Sequence, residues 1–357
     1  MASKFNICLV IPSMNGGGME RVMSELANFF CKKDNIKVHL VILSQKKHFY
    51  KLNDKINVYE PSFKITGILS VFKLFFYLRT TVSKISPNSV LSFGEMYNSF
   101  VLTSLSGMKL KIFISDRSKP DKNWGIIHNN LRIILYKKAY GIISQTNYAS
   151  EFIQSKIQHK NVVVIGNPFN LVKPKPISTK KNIILTVGRM VKSKQHEHLI
   201  NIFSLIDNND WELHFVGDGP ERNNLIDLAI KLKIDSRVYF HGFSNDVIKF
   251  YETAKIFAFT SNSEGFPNVL GEAMSHGLAT ITYDFIAGAS DLIINNHNGI
   301  LIELNNQISF KNKLVELINN EYLICKLGIN AIESIKKYDI NLIANRYLEM
   351  LLKDEKH

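Results

Sequence analysis

The chain has 357 residues, 45% hydrophobic and 21% charged, with a mean hydropathy of −0.02; this suits two globular domains and excludes a disordered or collagen-like protein. Cys8, Cys31 and Cys325 are widely spaced with no C-x-x-C pair, so neither a disulfide framework nor a zinc site is expected, and a reducing, cytoplasmic setting fits. The formal charge of +13 is uneven: residues 1–175 hold 25 Lys and Arg against 9 Asp and Glu (+16), and residues 176–357 hold 19 against 22 (−3). That asymmetry points to a polyanion facing the first half, nucleic acid or anionic lipid, with a solvated lysine-rich surface as the plainer reading.

The first residues run straight into a strand pattern, without the basic, apolar and small-residue segments of a signal peptide. Strand patterns at 5–11, 37–43, 89–93, 110–115, 141–145 and 162–165 alternate with helical ones at 19–33 and 68–85, which predicts parallel β-α-β units. The longest apolar stretch, 68–78, contains Lys73 and is too short to cross a bilayer, so any membrane contact is expected to be peripheral. Pro168, Pro174 and Pro176 among lysines mark a linker. After it, strands at 183–187, 212–216, 238–241, 256–260, 280–283 and 299–302 form a second sheet with helices at 197–206 and 220–232, and helices at 310–318, 321–336 and 340–352 close the chain. The predicted architecture is α/β: two Rossmann-like doubly wound domains with a central cleft between them. The first domain is expected over 1–170, a linker over 171–181, the second domain over 182–336 and a C-terminal helix over 337–357.

Three motifs could carry chemistry. Gly16-Gly17-Gly18-Met19-Glu20-Arg21 joins the first strand to the first helix, where glycine amides can approach an anion; it departs from G-x-G-x-x-G at Arg21 and lacks G-K-[ST], so NAD binding and a P-loop are disfavoured, and a tight turn without a ligand stays open. Arg189 and Lys194, in the loop after the first strand of the second domain, can hold a diphosphate, though two basic loop residues are also compatible with simple solvation. The run from Glu264 to Glu272 enters a helix with Pro267 in its first turn, which leaves the amides of Asn268, Val269 and Leu270 free for a sugar or phosphate oxygen.

Taken in order, the glycine turn, Val187-Gly188-Arg189 with Lys194, Val216-Gly217-Asp218-Gly219-Pro220-Glu221, His241-Gly242-Phe243 and Glu264 through Glu272 resemble the retaining GT-B enzymes of glycosyltransferase family 4, over almost the whole chain. The resemblance implies a nucleotide-sugar donor, UDP-linked before GDP-linked, bound mainly by the second domain. Glu272 would take the ribose hydroxyls, Arg189 and Lys194 the diphosphate, and Glu264 with the amides from Phe266 to Leu270 (Phe266, Pro267, Asn268, Val269, Leu270) the donor sugar. Gly217, Asp218 and Gly219 with His241, Gly242 and Phe243 would border the base, and Gly16, Gly17 and Gly18 would close over the diphosphate. It also implies transfer of a hexose or N-acetylhexosamine with retained configuration, without a protein nucleophile, and a C-terminal helix that crosses back to the first domain. No Asp-x-Asp is present, so no metal and no cofactor are expected.

One stretch departs from the family. Where relatives carry a histidine that contacts the donor sugar, this chain has Ile114-Ser115-Asp116-Arg117-Ser118-Lys119-Pro120. Asp116 or Arg117 is the candidate replacement in sugar or acceptor binding, with a local ion pair between the two as the alternative. Ser-Asp-Arg-Ser resembles a subgroup of bacterial surface-polysaccharide and lipid-linked oligosaccharide enzymes, which implies a glycan acceptor on a polyprenyl diphosphate and a peripheral position on the inner face of the cell membrane. Ile68, Leu69, Phe72, Phe75, Phe76 and Leu78, with Lys64, Lys73, Arg79 and Lys84, are one candidate lipid-facing helix, and 131–140 with Arg132, Lys137 and Lys138 a second; core packing is the alternative for each. No nucleic-acid-binding signature accompanies the charge. A non-catalytic GT-B sugar-binding relative and a nucleotide-sugar epimerase are the remaining alternatives.

Overall fold

The computed structural model describes residues 5–45 and 48–353; residues 1–4, 46–47 and 354–357, which fall in the expected first domain and last helix, lie outside the described residues. The chain divides into two units, one formed by residues up to Pro168 together with those from Ile340 on, the other by Phe169–Asp339.

In the first unit, β1 (Phe5–Ile11), α1 (Gly18–Phe30), β2 (Ile36–Ile42), β3 (Asn57–Tyr59), α2 (Ile68–Ile85), β4 (Ser89–Phe93), α3 (Glu95–Ser104), β5 (Lys111–Ser115), α4 (Ile126–Tyr136), β6 (Gly141–Ser144), α5 (Asn147–Ile157) and β7 (Val162–Val164) follow one another. The strands form a seven-stranded sheet in the order β3-β2-β1-β4-β5-β6-β7, parallel throughout. Because helices cover both faces, the central strands are apolar runs rather than alternating ones: Ile7 to Ile11 of β1 are all buried. Leu74, Leu78 and Val82 of α2, Val101 of α3 and Ile153 of α5 close one face over Cys8, Val10 and Val90.

The second unit repeats the scheme. It runs β8 (Lys181–Val187), α6 (His196–Ser204), β9 (Glu212–Val216), α7 (Arg222–Lys231), β10 (Val238–Phe240), α8 (Ile248–Thr253), β11 (Ala254–Phe259), α9 (Asn268–Ser275), β12 (Ala279–Tyr283), α10 (Ala289–Leu292), β13 (Ile300–Ile302), α11 (Gln307–Ile318) and α12 (Glu321–Ile335). Its six strands are parallel in the order β10-β9-β8-β11-β12-β13. Strand order therefore reverses direction between β8 and β11, and the loops leaving these two strands flank a crevice at the carboxyl edge, where ligands bind in open α/β sheets.

The last helix, α13 (Ile340–Leu352), belongs to the first unit: it packs on α1 and β4 and buries Ile343, Ala344, Tyr347, Leu348 and Leu351. The stretch 171–181, read from its prolines and lysines as a linker, is built into the second unit. Lys175 pairs with Glu252 at 2.8 Å, the buried Lys180 Nζ donates to the carbonyls of Tyr251 (3.2 Å) and His276 (3.0 Å), and Lys181 opens β8. Proline and lysine content marks irregular backbone, not independence. Among the described residues no helix is long and apolar enough to cross a membrane.

Candidate active site

The loops leaving β8, β9 and β10 are joined backbone to backbone. The Gly188 amide donates to the Val216 carbonyl (2.9 Å), the Met190 amide to Asp218 (2.9 Å) and the Gly217 amide to Gly242 (2.8 Å). Gly217 has a φ of +136°, and a Cβ there would lie 2.0 Å from the Gly188 carbonyl oxygen; at Gly219 it would lie 2.3 Å from that of Met190. Only glycine permits this approach. The result is a fixed platform on which Arg189 and Asp218 are exposed.

Across the strand-order reversal, the loop after β11 is tied to the loop after β8. Thr260 Oγ1 donates to the carbonyls of Lys194 and Gln195, each at 3.0 Å, and the Asn262 amide to that of Ser193 at 2.9 Å. Lys194 Nζ forms an ion pair with Glu264 Oε1, and the side chains are 17% and 15% exposed. The ammonium also lies 4.9 Å from the centre of the Phe259 ring, whose face favours a cation. Two sequence candidates 70 positions apart thus meet beside the strand-order reversal, where partial burial leaves the cation weakly screened.

Helix α9 differs from expectation at its start. Pro267 is the residue before the helix rather than inside its first turn, and two of the three amides expected to be free are taken: Asn268 N–H donates to Phe266 O (2.9 Å) and Leu270 N–H to Pro267 O (3.0 Å). The proline carbonyl and its predecessor close tight turns that consume these donors, and of the three only the Val269 amide finds no acceptor among the described residues. Phe266 is buried and stacks on Phe169, ring centres 6.2 Å apart. Phe169 in turn reaches α9, where a Cβ on Gly271 would lie 2.1 Å from its ring. At the next position, Glu272 Oε2 accepts a hydrogen bond from Tyr251 OH at 2.9 Å; the tyrosine, which no spacing rule singled out, holds this carboxylate from α8.

At the β10 end, His241 and Phe243 are exposed, so Phe243 is not a core residue. Two further groups missed in the sequence stand behind His241. His214 Nδ1 is 3.1 Å from His241 Nε2, and His214 Nε2 is 2.9 Å from Glu212 Oε2. The available signal was period two: Glu212 and His214 lie on one face of β9.

The candidates of the first unit behave differently. Gly17 caps α1, but the Glu20 carboxylate folds against it, so close that a Cβ on Gly17 would lie 2.3 Å from Glu20 Oε2. The positive end of the helix is thereby already answered by this chain's own acid, alongside exposed Gly16 and Gly18. Asp116 does not pair with Arg117. It is buried, its Oδ2 pairs with Arg132 Nη2, and its Oδ1 accepts from Tyr136 OH (2.6 Å) and Asn98 Nδ2 (3.0 Å). Arg117 lies with its guanidinium 4.1 Å from the centre of the Phe93 ring and donates to Asn167 Oδ1 at 2.7 Å. Both expected acceptor residues are spent on internal contacts, because the β5 end is buried under α4 and α13.

The lipid-facing candidates are also redrawn. Leu78 is core, and Arg79 is spent on the carbonyls of Ser104 (2.8 Å) and Ser106 (2.9 Å). In the second candidate, Arg132 and Tyr136 are buried. The apolar exposure is greatest at the beginnings of the helices, where Ile68 and Leu69 are each 74% exposed, Ile126 81% and Ile127 79%, and it continues along them through Phe72 and Phe76 on α2 and Leu131 and Ile134 on α4. Between them Met96 and Tyr97 open α3, also exposed. In a parallel sheet each helix starts at the carboxyl edge of the strands, so the residues that open the helices rim one edge of the unit.

Residues 169–337 match the model of the family Glycosyl transferases group 1. The chain is 27% identical to the GalNAc-alpha-(1->4)-GalNAc-alpha-(1->3)-diNAcBac-PP-undecaprenol alpha-1,4-N-acetyl-D-galactosaminyltransferase of Campylobacter jejuni, over 97% of this chain and 98% of that protein. Among solved structures it resembles the lipopolysaccharide outer core galactosyltransferase WaaB (TM-score 0.79, 21% identity, 98% of this chain and 99% of that one) and Anabaena HepE in complex with UDP (TM-score 0.83, 16% identity, 98% and 100%). With two parallel Rossmann-like sheets and a group 1 match over the second, the chain has the GT-B fold and resembles glycosyltransferases of the family 4 kind.

Proposed function

We propose that the protein transfers a hexose or N-acetylhexosamine from a UDP-sugar, with retained anomeric configuration, to a glycan acceptor carried on a polyprenyl diphosphate. The observation that carries this reading is the crevice at the β8/β11 reversal, where Lys194, paired with Glu264, lies at the edge that also presents Arg189. Arg189 and Lys194 would bind the diphosphate, and their charge would stabilise it as it leaves, the term that dominates a reaction with no protein nucleophile. The acceptor oxygen bonds to the anomeric carbon on the face from which the diphosphate oxygen departs, and the departing group takes the acceptor proton. Glu264 and the Val269 amide would hold the donor sugar, Glu272 the ribose, and His241 to Phe243 with Gly217 to Gly219 the base. Two cations on the diphosphate supply the charge a divalent metal would otherwise bring, so activity is expected to survive a chelator.

UDP is favoured because HepE, similar in fold, binds it; the lipid-linked acceptor is favoured because the Campylobacter relative is named for an undecaprenol-diphosphate glycan. The exposed apolar rim of α2 and α4, in a half of net charge +16, suits peripheral contact with the anionic inner face of the cell membrane. The test is a panel of nucleotide sugars scored for thermal stabilisation and slow hydrolysis, since a ligand of the native state raises its apparent stability. UDP-sugars should stand out, and stabilisation by no nucleotide sugar would overturn the reading.

A further inference from the structure

Glu212, His214 and His241 form a chain of hydrogen bonds from the first half of β9 to the loop after β10, and no catalytic step assigned above uses the first two. Hydrogen-bond bookkeeping fixes its direction. A carboxylate only accepts, so His214 Nε2, 2.9 Å from Glu212 Oε2, carries a hydrogen; the neutral His214 ring then has a bare Nδ1. That atom, 3.1 Å from His241 Nε2, can only accept, so His241 carries its hydrogen on Nε2 and leaves Nδ1 bare. The Nδ1 of His241 has no partner among the described residues, and the residue is exposed.

We propose that Glu212 and His214 fix the tautomer of His241 so that its Nδ1 is an acceptor for a base with a ring N–H, which makes the site select uridine over cytidine diphosphates. This rests on the reading of residues 241–243 as the border of the base. Uracil presents N3–H between two carbonyls, whereas cytosine presents a lone pair at N3, which would face the lone pair of Nδ1. Guanine also carries a ring N–H, so the relay disfavours cytosine and adenine without separating uracil from guanine. The surroundings keep both rings neutral: burial lowers the pKa of each below the ordinary histidine value, helped at His241 by His214 and the Lys249 ammonium and at His214 by Lys181, with only Glu212 opposing. The rings are also held in place. His214 packs on Tyr239 with centres 4.8 Å apart, and His241 on Phe250 at 4.7 Å.

Two measurements on the full chain test this. Ring ¹⁵N correlation spectra should give the Nε2–H form for His241 in the parent protein and a mixture of tautomers in His214→Phe, which keeps the ring packing on β9. Calorimetric titration should give a preference for UDP over CDP of about tenfold or more, the worth of one hydrogen bond made against one lone-pair clash. That ratio should fall toward unity in His214→Phe and in His241→Phe, while Arg189→Ala weakens both nucleotides alike. An Nδ1–H form in the parent, or a UDP:CDP ratio unmoved in both variants while Arg189→Ala still weakens UDP, overturns the relay and leaves the donor reading standing. Failure of any nucleotide to bind overturns the donor reading and the relay with it.

Discussion

The carboxyl edges of the two sheets carry similar residues and use them in opposite ways. In the first unit, the acid and base at the end of β5 are locked inward: Asp116 is shared among Arg132, Tyr136 and Asn98, and Arg117 lies on Phe93. In the second, glycines carry the backbone contacts between loops, which frees Arg189 for solvent and leaves Lys194 with one acidic partner at the crevice. A charged residue at a strand end stays available to a ligand where the backbone takes over the structural work that the side chain would otherwise do.

The sharpest way to break this comparison is to remove Asp116. In Asp116→Ala the buried Arg132 guanidinium is left without its counter-ion, and a buried pair broken on one side costs about 3–5 kcal/mol; denaturant melts should record this as lost stability. A stable Asp116→Ala protein with lost turnover would place Asp116 in the site after all. Next in size, Arg189→Ala and Lys194→Ala should each lower turnover by on the order of 10² or more, with the melting temperature little changed for exposed Arg189 and lowered for Lys194, whose removal leaves Glu264 without its partner. Near-normal rates in both would end the diphosphate assignment.

A smaller effect is expected from Gly271→Ala, whose methyl group meets the Phe169 ring; overpacking of this kind costs about 1–3 kcal/mol. Phe169→Leu should restore part of the loss in the double variant, and additive losses would mean that the two do not touch. The smallest effect sharpens the contrast from the other side, since the exposed rim of the first unit is apolar rather than ionic. Ile126→Ser combined with Ile127→Ser should weaken sedimentation with anionic vesicles by about tenfold, in proportion to the apolar area withdrawn from lipid. Binding of the parent protein should fall as salt rises, because the basic contribution is screened over about 8 Å at physiological ionic strength. Equal binding to neutral and anionic vesicles would assign the charge to solvation alone.

Periodicity made most of the elements legible: 5–11, 68–85 and 89–93 coincide with β1, α2 and β4, because strands covered on both faces read as unbroken apolar runs. The motif order also brought the second unit's residues to one edge. What the sequence could not carry was pairing. Nothing in Ser-Asp-Arg-Ser reveals that Asp116 will find Arg132 sixteen positions on, since that depends on α4 lying over β5. Nor does Glu264-to-Glu272 spacing reveal that Asn268 and Leu270 spend their amides on the Phe266 and Pro267 carbonyls. Gly217 and Gly219, expected to border a base, also let neighbouring loops approach, and Gly271, which no motif singled out, makes room for the Phe169 ring.

The return of α13 to the first unit has a consequence for biosynthesis. Domains generally fold as they leave the ribosome, the first-made before the next. Here the first-made sheet waits for its last helix until the whole second unit has been synthesised, and until then the face of α1 and β4 that Tyr347 and Leu351 will cover is open. The second unit has every one of its strands in a single stretch from Phe169 to Asp339. The order in which the two units become complete is thus the reverse of the order in which they begin, and the nascent chain exposes an apolar surface for the whole interval.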